Sequence, residues 1–204
     1  MPTKHTGLVP RRHFLKLVVA SAFLLGRGKA FARERDDLSS DQFCRLLMER
    51  VALSFSGAQI GVVKWYPDTL SAHVVDVGMQ IPSAAALDDL ARHPVPRGTR
   101  LLGITDTDLS YPGRTFVFGE ADEKRRVAVI SLHRLRGSSP NEALLYQRVF
   151  KEASHELGHT YGLGHCVDWR CAMHFSSSVG ELDVRGSAFC SSHTHELRHA
   201  LRND

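Results

Sequence analysis

Two histidines separated by three residues, with a glutamate directly after the first, constrain this chain most. They are His155 and His159, with Glu156 between them. On a helix, side chains four positions apart lie one turn apart on the same face. Two imidazole nitrogens can then reach one Zn²⁺ at roughly 2.0–2.1 Å. Glu156 lies about 100° further round the helix, where its carboxylate can act as general base on a metal-bound water.

The residues that follow complete a possible zinc site. Gly162 can adopt a positive φ at little cost, which suits the end of a helix and a reversal of the chain. The reversal would return His165 as a third ligand and leave the fourth position open, as a hydrolytic zinc requires. The chain has 12 histidines, so the alternative is a solvated helix that happens to be rich in histidine. The fixed spacing of glycine and third histidine favours the zinc hydrolase.

The helix that carries this motif has recognisable boundaries and faces. The run Ser-Pro-Asn-Glu at 139–142 predicts a capping box with Ser139 as N-cap and Glu142 at the third helical position. Apolar residues recurring at every fourth position predict a stripe that faces the core: Leu145, Val149, Ala153 and Leu157. A second, polar stripe carries Arg148, Glu152, His155 and His159.

Residues 1–32 are predicted to be a cleavable export signal. Paired arginines at 11 and 12 precede an apolar run from Leu17 to Gly26, and Ala30-Phe31-Ala32 matches a cleavage site. The pattern resembles the twin-arginine signal of bacteria; a general secretory signal that happens to contain Arg-Arg is the alternative. The apolar run is too short to cross a bilayer as a helix. We therefore expect a periplasmic or secreted protein with no stable membrane anchor after cleavage.

Removal of that segment changes the charge of the chain. The whole sequence has 26 basic and 22 acidic residues. The signal contains six basic residues and no acidic one, so the mature chain would carry 20 basic against 22 acidic residues. The basic precursor is therefore no evidence for nucleic-acid binding, and we expect no nucleic-acid partner. Residues 33–204 suit one domain with a substantial core, and we expect a monomer.

Helices and strands alternate along the mature chain, which predicts an α/β or α+β layer architecture. Helices are expected from Ser40, where Cys44 would be a small buried hydrophobe, over 83–92, and through the motif. Short β-branched or aromatic runs predict strands at 60–65, 100–105, 115–118 and 126–132. Asp106 and Asp108 follow one of these strands, and we interpret them as turn formers or caps instead of metal ligands.

Beyond the third histidine, the sequence resembles one family. The full motif from His155 to His165, followed by Cys166, Cys171 and Met173, resembles the archaemetzincins of the metzincin clan of zinc metalloproteases. The resemblance covers about residues 100–195. It implies a metzincin-like zincin fold, with a small mixed twisted sheet, a long active-site helix, a methionine turn at Met173 and a C-terminal helix over 195–201.

The same resemblance implies a function and its residues. The chain would hydrolyse peptide bonds in a peptide or protein substrate, with catalytic zinc on His155, His159 and His165 and with Glu156 as base. The strand around 116–119 would resemble a rim strand that pairs with an extended peptide. Phe175 stands where some metzincins carry a zinc-binding tyrosine, and a phenyl ring cannot be a ligand.

A second metal site departs from the family pattern. The family supplies four cysteines to a structural zinc, whereas this chain has Cys166, Cys171 and Cys190 and then His193. Three cysteines and one histidine are a common structural zinc set, so we expect a second zinc with His193 as fourth ligand and His195 as the alternative. A disulfide from Cys166 to Cys171 or Cys190 is the competing interpretation for an exported protein.

Two functions of other classes stay open. One is a zinc-dependent binding or scaffold protein of the cell envelope that has lost turnover, although such a protein would have no need of Glu156. The other is an exported metal buffer that uses the abundant histidines, although the ordered cap, helix and glycine argue against a simple chelating tract.

Overall fold

A computed structural model describes residues 14–20, 40–55, 59–65, 80–96, 98–138 and 141–203. The helices are α1 (Ser40–Ser54), α2 (Ser83–Ala91), α3 (Leu132–Arg136), α4 (Glu142–Thr160), α5 (Val179–Val184) and α6 (Ser191–Asn203). The strands are β1 (Phe14–Ala20), β2 (Gln59–Trp65), β3 (Gln80–Pro82), β4 (Arg100–Thr105), β5 (Asp108–Tyr111), β6 (Arg114–Val117), β7 (Gly119–Asp122) and β8 (Val127–Ser131).

The strands form two sheets. The larger has the order β2-β1-β4-β8-β7 and is parallel except for β7, which runs antiparallel to β8. The smaller has the order β3-β5-β6. Every residue of β4 and β8 is buried, as expected of strands inside a largely parallel sheet that is covered on both faces. The predicted mixed α/β class is confirmed.

Strand β1 lies within the segment that the sequence predicts to be an export signal. It pairs in parallel with β2 on one side and with β4 on the other. Cleavage after residue 32 would therefore take a strand out of the sheet and leave an edge of β2 and an edge of β4 without their hydrogen-bond partner. The signal and its boundary stay predictions, and the loss of β1 from the sheet is the structural consequence of such a cleavage.

Most of the predicted elements are present, and the errors concern short elements and one cap. The sequence predictions missed β3, β5 and β7, each of three or four residues, and the short helices α3 and α5. They also did not predict a strand at β1, which falls in the segment assigned to the export signal. The N-cap of α4 is Asn141, whose Oδ1 accepts a hydrogen bond from the Leu144 N–H at 3.1 Å. The predicted cap at Ser139 is wrong, since the helix begins at Glu142; Ser139 itself lies outside the described residues. Asp108 belongs to β5 and pairs with Arg134 at 2.6 Å, so it is neither a turn residue nor a ligand.

The larger of two hydrophobic clusters lies between the larger sheet and helices α1 and α4, and the smaller one packs α2 against β4 and β8. Val149, Ala153 and Leu157 are completely buried and Leu145 is partly buried against the same core, which confirms the predicted apolar stripe. The core receives Leu47 and Val51 from α1 and Phe55 from the residue directly after it, and Cys44 is buried beside them as predicted. None of the described helices combines the length and apolar character needed to span a bilayer.

A buried arginine joins α4 to the C-terminal part of the chain. Arg148 forms a two-pronged ion pair with Asp183 of α5, both contacts at 2.7 Å. Its Nη1 also donates to the Leu135 carbonyl oxygen at 2.9 Å. The hydrogen bond to Arg148 lowers the pKa of Asp183. Three helices, α3, α4 and α5, are thus fixed to one another by one side chain.

Candidate metal centres and cleft

Three histidine side chains converge at the C-terminal end of α4. The nearest ligand atoms of His155, His159 and His165 all lie within 4.8 Å of one another. The Nε2 atoms of His155 and His159 are 3.1 Å apart. Two nitrogens that share a tetrahedral zinc at 2.0–2.1 Å are separated by about 3.3 Å, so the spacing fits the ion. Gly162, with φ at +81°, reverses the chain between the helix and His165, as predicted.

Backbone carbonyls orient the first two imidazoles. The Nδ1 of His155 lies 2.8 Å from the Ala172 oxygen, and that of His159 lies 2.7 Å from the Leu163 oxygen. If each Nδ1–H donates to its carbonyl, each Nε2 presents a lone pair to the shared point. Burial lowers the pKa of His155 well below its ordinary value and that of His159 to about 4. Both rings are therefore neutral at pH 7, as metal binding requires.

Glu156 is buried beside this cluster and is held on two sides. Burial, followed by the neighbouring carboxyl group of Glu152, raises its pKa well above the ordinary value. On the other side, strand β7 begins at Gly119. A Cβ atom on Gly119 would lie 2.7 Å from the Cγ of Glu156, well inside van der Waals contact. The glycine therefore lets the sheet edge approach the carboxylate closely.

A buried ion pair lies next to Glu156. Arg185, directly after α5, is 2% exposed and donates from Nη2 to Glu152 Oε2 at 2.8 Å. Its Nη1 donates to the His174 carbonyl at 3.2 Å and lies 3.4 Å from His155 Nδ1. The sequence predictions assigned no function to either residue of this pair. Glu152 could have been suspected from its place one turn before Glu156, whereas nothing in the sequence indicates Arg185.

Met173 lies beneath the histidine helix, where the methionine turn was expected. It is completely buried, and a Cβ atom on Gly158 would lie only 2.5 Å from its sulfur. Its carbonyl accepts a hydrogen bond from the Cys166 N–H at 2.9 Å, so the turn is tied to the residue after His165. Phe175 is half-exposed, with its ring 5.4 Å from that of His165.

The second predicted ligand set also comes together. Ligand atoms of Cys166, Cys171, Cys190 and His193 lie within 4.8 Å of one another. His193 Nδ1 is 3.1 Å from the Cys190 sulfur and 3.7 Å from the Cys171 sulfur. Zinc–sulfur bonds of about 2.3 Å give tetrahedral sulfur–sulfur edges of about 3.8 Å, and the Cys166–Cys190 separation is 4.0 Å. The set therefore fits a zinc ion.

The structure does not contain the disulfide of the competing interpretation, and it does not bring His195 to the cluster. All four cysteines of the chain are free thiols, and 4.0 Å between two sulfurs is about twice a disulfide bond length. A backbone hydrogen bond from His193 lowers the pKa of Cys190 to about 7, which favours the thiolate that a metal needs, whereas burial raises the pKa of Cys171 to about 11. His195 is exposed on α6 and lies outside the cluster.

The histidine cluster opens into a cleft of about 910 Å³. One wall consists of β6 and β7, and the other of α4 and the segment from Phe175 to Ser177. Glu120 and Glu123 contribute acidic groups to the strand wall. Arg114 reaches across from β6, with its guanidinium carbon 4.9 Å from the centre of the Phe175 ring. The cleft is thus large enough for several residues of an extended peptide and carries charges of both signs.

Several known proteins with similar sequences and folds are archaemetzincins. The sequence profile of peptidase family M54 matches residues 56–199. The archaemetzincin of Thermococcus kodakarensis is 48% identical over 106 residues, which are 50% of this chain and 55% of that protein. That of Methanopyrus kandleri is 46% identical over 119 residues, 58% of this chain and 67% of that protein. The match thus spans between about half and two thirds of these relatives.

Solved structures agree with the sequence matches over more of the chain. The crystal structure of the Methanopyrus kandleri archaemetzincin has a TM-score of 0.76 at 37% identity and covers 96% of this chain and 99% of that one. The Archaeoglobus fulgidus archaemetzincin, solved in complex with malonate, has a TM-score of 0.69 at 27% identity. That match covers 90% of this chain and 99% of the Archaeoglobus chain. The chain belongs to peptidase family M54, the archaemetzincins.

Proposed function

We propose that this protein is a zinc-dependent metallopeptidase in which Glu156 is the general base. The observation that carries the proposal is a buried carboxylate beside three converging imidazoles at the floor of an open cleft. Membership of a peptidase family supports peptide or protein substrates. Neither a simple chelating tract nor a solvated helix would need a buried glutamate at that position.

Each residue of the site has a distinct task in the proposed reaction. His155, His159 and His165 would hold the catalytic zinc, which lowers the pKa of water and polarises the scissile carbonyl. Glu156 accepts the proton of the attacking water and delivers it to the leaving amine. Gly119 gives the Glu156 side chain its space, and the carbonyls of Ala172 and Leu163 keep two imidazoles in the required orientation.

The strand wall offers a way to bind substrate. Among the described strands, β7 is the last in the larger sheet and β6 the last in the smaller one, and both line the cleft. An extended peptide can add to such an edge through main-chain hydrogen bonds. We infer that the substrate lies along this wall, with its scissile bond next to Glu156.

The four-ligand cluster would bind a second, structural zinc. Four protein donors leave no open position, which is the character of structural sites. Cys166 directly follows His165, and His193 lies in the first turn of α6. A zinc there would fix the third catalytic ligand and the C-terminal helix to each other, so that two ions serve one active site.

We also propose export through a twin-arginine-type signal in residues 1–32. A reporter fused after residue 40 should reach the periplasm, and Arg11→Lys with Arg12→Lys should keep it in the cytoplasm. The amino-terminal sequence of the purified exported protein would test the cleavage site. An intact Phe14–Ala20 in that material would mean that β1 is retained in the sheet.

The peptidase is tested by cleavage of a mixed peptide library by the zinc-loaded protein, with Glu156→Gln as the matched variant. We expect cleavage by the wild type and loss of about 10²–10⁴-fold activity in the variant, with zinc content unchanged. Equal turnover by both proteins would refute the role of Glu156. No cleavage by either, with zinc bound at the histidines, would favour the zinc-dependent binding protein.

A further inference from the structure

One positively charged side chain of the cleft is not paired with a carboxylate. The described residues that line the cleft include two arginines, Arg114 and Arg185. Arg185 is buried and forms an ion pair with Glu152. Arg114 is exposed on β6, and none of the ion pairs between residues that the structure describes involves it. Its guanidinium group is therefore available to a ligand in the cleft.

The backbone of Arg114 is fixed by a tight turn. Pro112 and Gly113 connect β5 to β6, and Gly113 has φ at +78°. Proline followed by a glycine with positive φ is typical of the two central positions of a type II turn. The carbonyl of Thr115 accepts a hydrogen bond from Gln80 Nε2 at 2.8 Å. The strand that carries Arg114 is thus in place before a ligand binds, which lowers the entropic cost of binding.

An aromatic ring next to the histidine cluster supports the Arg114 side chain. The guanidinium carbon lies 4.9 Å from the centre of the Phe175 ring, whose centre is 5.4 Å from that of the His165 ring. Stacking uses the face of a guanidinium, while its N–H groups lie in the plane and can still donate to a ligand. The two distances place the guanidinium carbon within about 10 Å of the His165 ring, which an extended peptide spans in about three residues.

The charges of the cleft differ between the two sides of the histidine cluster. Burial, followed by the positive charge of Arg114, lowers the pKa of His165. Burial, followed by the carboxyl groups of Glu152 and Glu120, raises the pKa of Glu156. Arg114 thus acts on the His165 side of the site, and Glu120 acts on the Glu156 side. A negative ligand group is attracted to the Arg114 side, whereas a positive one is repelled from it.

A carboxylate is the ligand group that fits Arg114. Its two oxygens can accept two parallel N–H···O bonds from one guanidinium, and such charged pairs are about twice as strong as neutral hydrogen bonds. We propose that Arg114 is a specificity-determining residue, which binds a carboxylate of the substrate about three residues or fewer from the scissile bond. That carboxylate is either an acidic side chain or the carboxyl terminus of the peptide.

This inference rests on the proposed peptidase function but is tested without turnover. Two series of peptide hydroxamates, which chelate zinc, would extend in opposite directions from the chelating group. With both ends blocked, they would carry Glu, Gln or Lys at the first, second or third residue. A further set without acidic residues would end in a free carboxyl terminus at each length. Calorimetry with the zinc-loaded full chain would measure affinity.

We expect a carboxylate at one position to raise the affinity about five- to tenfold over the Gln compound, and Lys at that position to bind most weakly. If the blocked Glu compound shows this gain, the carboxylate is a side chain. If only the compounds with a free carboxyl terminus show it, the peptide end is the ligand.

Three variants assign the preference to Arg114. Arg114→Gln should remove the advantage of the carboxylate over Gln, and Arg114→Glu should make the Lys compound the tightest of the three. Arg92→Gln makes the same change of charge at an exposed arginine outside the cleft, so it should keep the wild-type preference. Circular dichroism would verify that all three variants are folded.

A second readout needs neither zinc nor hydrolysis. The NMR signal of the Arg114 Nε–H group, identified by its absence in Arg114→Gln, should shift on titration with the preferred acidic peptide without its hydroxamate. The corresponding Gln peptide should leave it unmoved. Because this signal reports on Arg114 itself, it separates carboxylate binding from the integrity of the metal site.

The outcomes distinguish this inference from the proposed function. Equal affinity of the carboxylate and Gln compounds at every position would overturn the role of Arg114, as would an Nε–H signal that no acidic peptide shifts. A preference of wild-type size in Arg114→Gln, or its loss in Arg92→Gln, would overturn it too. Failure of the peptidase itself would appear in the library experiment, because neither readout here requires hydrolysis.

Discussion

The two ligand clusters lie next to each other in sequence but differ in their donor atoms, in their access to the cleft and in the groups beside them. The histidine cluster has three nitrogen donors, opens into a cleft and has a buried carboxylate beside it. The other cluster has three sulfurs and one nitrogen, and none of its four residues lines that cleft. Three protein donors leave one coordination position of a tetrahedral zinc open for water or substrate, whereas four protein donors fill the coordination shell.

The connection between them is a single peptide bond, from His165 to Cys166. The two clusters share the same segment and the same Met173 turn. They are therefore distinguished by their donor atoms, by access to the cleft and by the carboxyl group of Glu156. One short stretch of chain thus contributes to two ligand sets, of which one opens into the cleft and the other does not. Variants of each cluster should consequently fail in different ways.

The largest effect is expected for His159→Ala. Loss of one of three ligands should release the catalytic zinc and lower activity by at least about 10⁴-fold, because binding and Lewis-acid chemistry are lost together. The fold should persist, with one zinc per chain in place of two. Elemental analysis, circular dichroism and peptide cleavage would check this. If the variant were unfolded, the histidine cluster would also be needed for folding, and the proposed difference between a catalytic and a structural site would be contradicted.

Cys190→Ser should act on stability. The variant weakens a closed site whose binding energy contributes to folding, so we expect a loss on the order of several kcal/mol in the free energy of unfolding. Chemical denaturation at fixed zinc concentration would measure it. Cys44→Ala, which alters a thiol on α1 outside the cluster, is the control and should cost only about 1–2 kcal/mol. Similar losses in the two variants would argue against a structural zinc.

Gly119→Ala tests how closely the reactive site is fitted. The added methyl group would lie 2.7 Å from Cγ of Glu156 and 2.7 Å from the Val129 carbonyl oxygen, so both contacts must be relieved by a shift of β7 or of its neighbours. We expect kcat to fall roughly 10–100-fold, since displacement of a catalytic group by about 1 Å has such effects. Zinc content and KM should change little. A variant with wild-type kcat would show that the sheet edge does not position the base.

The smallest effect concerns a region outside both clusters. Arg148 lowers the pKa of Asp183, so their pairing contributes stability above the ordinary aspartate value of 3.8 and loses it as pH falls further. Asp183→Asn should therefore cost about 1–3 kcal/mol at pH 7, because it leaves a buried guanidinium without its charge partner. Urea unfolding at pH 7 and pH 3 should show a difference from wild type that shrinks in acid.

Local spacing made much of the site predictable. The separations among His155, His159 and His165 follow from helix geometry and one glycine, and Cys166, Cys171, Cys190 and His193 come together as the resemblance implies. The long helix and its core stripe were visible because periodicity accumulates over many residues. Strands of three or four residues carry too little periodicity to be found, which is why β3, β5 and β7 were missed.

Contacts between distant segments could not be predicted in the same way. Gly119 and Glu120 precede His155 by more than 30 residues, and Arg185 follows α4 across the methionine turn. Their roles depend on the packing of β7 and of the segment after α5 against α4, which no local pattern specifies. The same holds for β1, whose apolar run is equally typical of a signal and of a buried strand.

The contact between Gly158 and Met173 has a consequence for reuse of the motif in other proteins. The glycine inside His-Glu-Leu-Gly-His is required by a sulfur fifteen residues downstream, because any larger side chain would meet it. If the helix were transplanted with its histidines and glutamate but without the methionine turn, the space next to Gly158 that the Met173 sulfur occupies would be left as a cavity beneath the histidines. The transferable unit for protein engineering is therefore the helix together with its methionine turn, and the two positions should be varied jointly.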